Sequence, residues 1–131
     1  MTESQRVLRE LEELTPALPN LVAAPGSESV VVYKGEGGDS FGFLTWSSED
    51  GAIATQRVLM PAGVRFPPHH HKEHEWLFVY KGRFLLTVDG EIEEVAPGGW
   101  KHIPPEVPHS ATAVEDTWVF CVSMPAAEGY P

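Results

Sequence analysis

Gly63-Val-Arg-Phe-Pro-Pro-His69-His70-His71-Lys-Glu73-His74-Glu75-Trp-Leu-Phe-Val-Tyr-Lys-Gly82 places four histidines and two glutamates between two glycines. On an extended backbone alternate side chains leave the same face, so His69 and His71 can reach one point in space. A short reversal after His71 would bring Glu75 back to that point from the next strand. Two imidazoles and a carboxylate held on a sheet are a metal site in outline, with coordination positions left for a substrate.

Around this segment the chain reads as one β-rich domain. Its 131 residues suffice for a single hydrophobic core, and 42% apolar with 21% charged residues is ordinary for a globular protein. Twelve glycines and twelve prolines, spread along the chain, favour many short strands over a helical bundle. The net charge of −10 leaves no basic patch for nucleic acid and opposes an anionic membrane surface. It does not exclude an anionic small substrate, because a bound divalent cation would dominate the field in a pocket. Cys121 is the only cysteine, so no internal disulfide can form and a reducing compartment is expected. The polar start Met-Thr-Glu-Ser-Gln-Arg has no signal-peptide character, and no apolar run approaches membrane-spanning length, so the expected location is cytoplasmic.

Residues 2–14 read as the one helix: Thr2 and Gln5 fit a capping box, and Val7, Leu8, Leu11 and Leu14 line one face. Pro16 and Pro19 end it. From Ser29 onward the signals are β, with runs at 30–34, 41–46, 53–60, 66–71, 75–80, 83–88, 91–95, 102–103, 109–114 and 117–123. Asp89-Gly90 between two alternating runs marks a tight hairpin. About ten short strands with frequent turns imply a sandwich or barrel of antiparallel sheets. The expected layout is a helix and linker over 1–19, a barrel over 29–124 and a tail over 125–131.

The spacing Gly63-x5-His69-x-His71-x3-Glu75-x6-Gly82 resembles the first motif of the cupin superfamily at every defined position. Gly98-x5-Pro104-x-Glu106-x2-His109-x3-Ala113 resembles the second, whose pattern is Gly-x5-Pro-x-Gly-x2-His-x3-Asn, with Glu106 and Ala113 departing from it. The string Ile103-Pro-Pro-Glu-Val-Pro-His109-Ser is similar to that of small single-domain cupins. The resemblance implies an all-β fold, a double-stranded β-helix or jelly-roll barrel, with one short N-terminal helix. It also implies that His69, His71, Glu75 and His109 bind one metal ion inside the barrel, and that Glu106 alters a turn more than the ligand set.

Other residues compete for roles. His70 has the opposite strand parity and is expected on the surface, whereas His74, beside Glu75, could replace or supplement a ligand. His102 is the rival to His109, which motif alignment favours. Glu73 reads as a solvated loop carboxylate, and Cys121 as a small core residue. Trp46, Trp100 and Trp118 read as core or interface aromatics. Of Gln56 and Arg57 one must face inward; an inward Arg57 would make a fork for a substrate carboxylate.

Three imidazoles and a carboxylate suit Fe, Mn, Ni, Zn or Cu, and four such ligands on an octahedral ion leave two positions open. A bidentate hydroxy acid, keto acid or enediol would fit there. Three functions follow: a metal-dependent oxidation of dioxygenase type, slightly favoured; a redox-neutral isomerase, lyase or cyclase acting on a sugar acid or keto compound; or a non-catalytic ligand or metal sensor. The redox-neutral reading needs a general acid or base, for which His102, Tyr80 and Glu106 are the candidates. The amphipathic helix and the apolar C-terminal strand offer surfaces for a homodimer.

Overall fold

The computed structural model describes residues 2, 5, 6, 9, 26–34 and 40–126. At the N-terminus the capping box forms: Thr2 N–H donates to Gln5 Oε1 at 2.8 Å and Gln5 N–H to Thr2 Oγ1 at 3.1 Å. The apolar stripe Val7, Leu8, Leu11 and Leu14 lies outside the described residues. No helix among the described residues is long and apolar enough to cross a membrane.

Ten strands follow: β1 Gly26–Lys34, β2 Ser40–Ser48, β3 Ala54–Met60, β4 Arg65–His69, β5 His74–Lys81, β6 Phe84–Val88, β7 Glu91–Val95, β8 Trp100–Ile103, β9 His109–Ala113 and β10 Thr117–Met124. They form a six-stranded sheet ordered β1-β2-β3-β10-β5-β8 and a four-stranded sheet ordered β4-β9-β6-β7. Every pairing is antiparallel. From β3 to β10 the chain changes sheet at each connection except the β6–β7 hairpin. That alternation between two facing sheets is the double-stranded β-helix expected from the motifs.

The hairpin turns at Asp89 (φ 50°) and Gly90 (φ 83°), two successive positive values as a type I′ turn requires. Between the sheets lie Val58, Met60, Leu77, Val79, Val119 and Cys121 from one side and Phe84, Leu86, Val95 and Ala113 from the other. Burial of a Leu or Val side chain as complete as at Leu86 or Val79 stabilises by about 1.5–3 kcal/mol. Strand parity therefore assigns the inner face of β5 to Glu75, Leu77 and Val79 and the outer face to His74, Trp76 and Phe78.

One side of the sandwich ends at β8 and β7. Lys101 sits opposite Leu77, and Glu93 opposite Leu86, so both occupy inward-facing rows at the sheet edges. Their ion pair spans the gap between the two edges. Charged residues at such positions also discourage pairing with another strand.

One expectation needs correction. The strand expected to reach His71 stops at His69. Pro67 and Pro68 lack the N–H a ladder needs, and the pairing with β9 is irregular between Phe66 and His69. The C-terminal strand β10 lies between β3 and β5, so the surface it can offer a partner is a face and not an edge.

Candidate metal centre

His69 closes β4 directly opposite His109, which opens β9, and His71 follows in the link to β5. The ring centroids are 4.1 Å apart for His69–His109, 4.9 Å for His71–His109 and 5.7 Å for His69–His71. One nitrogen from each ring lies within 4.8 Å of the others.

Each imidazole is oriented by the same local device. Nδ1 of His69 contacts Pro67 O at 3.0 Å, Nδ1 of His71 contacts Glu73 O at 3.0 Å, and Nδ1 of His109 contacts Val107 O at 2.9 Å. A carbonyl can only accept, so Nδ1 carries the proton and Nε2 keeps its lone pair. Nε2 of His71 and of His109 is buried without a hydrogen-bond partner, an arrangement that costs about 1–3 kcal/mol per atom unless something satisfies it. Three lone pairs converging from locked rings fit a transition-metal ion, which would occupy their shared focus.

Glu75, 9% exposed, faces the same interior from the start of β5, with Oε1 3.3 Å from His71 Nε2. A protonated His71 ring would direct its Nε2–H at this carboxylate, and a metal would take the place of that proton. The carboxylate pushes the His71 pKa up, against burial. Burial pushes His69 and His109 down, so both rings stay neutral and able to ligate. Glu73 is not the solvated carboxylate expected: it is only 4% exposed, with Oε1 3.8 Å from His71 Nδ1. The fold packs it behind the ring it helps to orient.

The other histidines separate cleanly. His70 is exposed and pairs with the Glu106 carboxylate at 2.9 Å. His74 stacks on Trp76 and meets His102 Nε2 through Nδ1 at 2.9 Å, on the outer face of the six-stranded sheet. His102, paired across from Trp76, shares that face. Neither His74 nor His102 stands in the cluster. His102 is thus on the wrong side of β8 to exchange protons at the centre. Tyr80 sits where the β5–β10 register shifts, with its hydroxyl buried, and burial raises its pKa while Arg57 opposes the rise.

Glu106 lies in the turn before His109, exposed, where its N–H donates to His71 O at 2.7 Å. Its φ of 66° is left-handed, a conformation that suits the glycine of the cupin pattern. Such a residue carries about 1–2 kcal/mol of steric cost. Glu106→Gly should therefore exceed Glu106→Ala in stability by about 1 kcal/mol, since both lose the His70 pair and only glycine relieves the backbone. Equal denaturation midpoints for the two variants would refute this.

Of the two β3 candidates, Gln56 faces inward at 1% exposure, opposite Thr45 and Cys121. Arg57 takes the other face, opposite Leu44 and Phe120, so of the two alternatives the inward guanidinium fork is the one that does not form. Two residues that motif reading missed share the inner face: Ser123, opposite Glu75, and Thr45. Their only sequence signal is a small polar residue inside an apolar strand. Cys121 belongs to the core, and burial raises its thiol pKa well above the ordinary range. Trp46 and Trp118 are buried, whereas Trp100 is largely exposed.

The Cupin domain family matches residues 56–124, more than half of the chain. The chain belongs to this family. An uncharacterized protein of Methanocaldococcus jannaschii is 31% identical over 71 residues, which are 52% of this chain and 57% of the relative, so the match spans little more than half of that protein. An RmlC-like cupin from Shewanella frigidimarina superposes with a TM-score of 0.65 at 22% identity, over 79% of this chain and 96% of the other. A predicted oxalate decarboxylase from Thermotoga maritima gives 0.64 at 15% identity, over 82% and 98%. At these identities the solved structures establish the fold.

Proposed function

We propose that this cupin is a metal-dependent enzyme acting on a small polar metabolite, and that the reaction is an oxidation of dioxygenase type. The observation supporting the metal is the set of three Nδ1–carbonyl contacts, which leaves Nε2 as the available ligand of each ring, together with the spacing of one nitrogen per ring within 4.8 Å of the others. His69, His71 and His109 would hold the ion, with Glu75 as the fourth ligand, and Glu73 would steady His71. When bound, the ion would supply Lewis acidity and, if redox-active, oxygen chemistry at positions the protein leaves open.

The choice of oxidation rests on which side chains surround the site. A redox-neutral isomerisation or lyase reaction needs a positioned acid or base. Two of the three residues best suited by sequence lie elsewhere, His102 on the outer face and Glu106 in an exposed turn paired with His70. The substrate class is a hydroxy or keto compound able to chelate through two oxygens. A homodimer is the expected assembly, using the outer face where Phe78, Trp100 and Met124 are exposed, and the cytoplasm the expected location.

The test is oxygen uptake by Fe(II)-loaded protein across a panel of 2-hydroxy and 2-oxo acids, with the same panel run anaerobically on Mn(II)- and Zn(II)-loaded protein. Substrate-dependent uptake with Fe(II) is expected. Anaerobic turnover with Mn(II) or Zn(II) would overturn the oxidation and favour the redox-neutral reading.

A further inference from the structure

We infer that Gln56 and Thr45 form the far end of the ligand site, a neutral hydrogen-bond-donor subsite that takes an uncharged carbonyl or amide oxygen of an acid held at the histidine centre. The inference rests on the metal-centre reading above and adds the chemical class of the ligand's second end.

Four observations carry it. Polar residues cross the inner face of the six-stranded sheet in an otherwise apolar setting: Glu75 on β5 is opposite Ser123 on β10, and Gln56 on β3 is opposite Thr45 on β2. Two strand spacings separate β5 from β3, on the order of 10 Å, the span of a small organic acid. Next, Gln56 is 1% exposed and its Nε2 has no partner, and the same holds for Oγ1 of Thr45, at 8% exposure. Buried polar groups are ordinarily paired, so both atoms lack an acceptor or donor that a ligand would bring.

Direction comes from Ser123, whose hydroxyl donates to Gln56 Oε1 at 3.4 Å. That contact occupies the amide oxygen, so the nitrogen, a donor only, is the end of the side chain left without a partner. Charge completes the argument. Gln56 and Thr45 are neutral, Arg57 lies on the opposite face, and Lys101 is engaged by Glu93 at the sandwich edge. A second carboxylate at this depth would share the interior with Glu75 and meet amide and hydroxyl donors rather than a cation.

Two ligands with the same chelating end test this: 2-oxoglutarate and 2,5-dioxohexanoate, which differ only in a distal carboxylate against a distal methyl ketone of the same size. Titration calorimetry on the metal-loaded protein should give the ketone about tenfold tighter binding. In Gln56→Leu that preference should disappear, with 2,5-dioxohexanoate weakened about tenfold or more, while the denaturation midpoint of the metal-free variant stays or rises because an unpartnered buried amide has gone. Equal affinities, a preference for 2-oxoglutarate, no binding of either, or a preference that survives Gln56→Leu each overturns the inference. So does a falling midpoint, which would make Gln56 a structural residue. The metal-centre reading fails separately, if His69→Ala with His71→Ala retains the metal.

Discussion

Protein carrying His69→Ala together with His71→Ala will emerge from tag-free purification without the stoichiometric transition metal that the wild-type chain retains. The two substitutions remove two of the three imidazoles whose nitrogens lie within 4.8 Å of one another. What stays behind is His109 and Glu75. Protein metal sites bind with free energies of order 10 kcal/mol shared among a few donors, so two lost donors imply several kcal/mol, about 10³-fold or more in affinity. Metal that stabilises the wild-type protein against heat should leave the double variant's melting unchanged. His70→Ala, His74→Ala and His102→Ala are the controls, and all three should keep their metal, because those rings face solvent or the outer sheet surface.

The same site predicts a direction with pH. His69 and His109 are held below the ordinary histidine range by burial, so they offer neutral nitrogens through most of the working range. His71 is held above it by Glu75, so its proton is the one a metal must displace. Affinity should therefore fall as pH drops through the raised His71 value and rise above it. Stoichiometric metal in the double variant, measured by elemental analysis, would remove the basis for the centre.

How much of this was legible beforehand depended on whether a pattern was local. Ten strands could be placed because turns such as Asp89-Gly90 punctuate alternating runs; His69 and His71 could be singled out by spacing, and His109 only through the resemblance to the second cupin motif. Orientation was harder. β5 reads Glu-Trp-Leu-Phe-Val-Tyr and β3 reads Thr-Gln-Arg-Val-Leu-Met, each with large side chains on both faces. Period-two alternation is then invisible, and parity is decided only when the opposing sheet covers one face. That is why Arg57 and His102 turned outward while Gln56 turned in. The burial of Glu73 likewise depends on packing of the β4–β5 link, which no local rule specifies.

Glycine spacing in the first motif leads to the second large effect. Gly82→Ala should lower stability by about 3–5 kcal/mol, against about 1–2 for Gly63→Ala. Both residues have positive φ, 97° at Gly82 and 86° at Gly63, so each substitution meets the same backbone penalty. Their surroundings differ. A methyl group at Gly63 would meet nothing within 4 Å, whereas at Gly82 it would collide with Asp116 O and stand 2.7 Å from Thr117 Cα. These are backbone atoms in a pinned segment. The Thr117 hydroxyl lies 2.8 Å from both Arg83 O and Glu115 O, and Asp116 Oδ1 accepts from Ala62 N–H at 2.9 Å. Relief would require the turn after β5 to part from the start of β10, breaking those contacts. Glu75 stands at the opposite end of β5 from Gly82, so the damage should appear as a smaller folded fraction rather than as weaker metal binding per folded molecule. Chemical denaturation of both variants beside a metal titration separates the two quantities. Similar midpoints for Gly82→Ala and Gly63→Ala would show that the close approach at Gly82 contributes nothing beyond its φ.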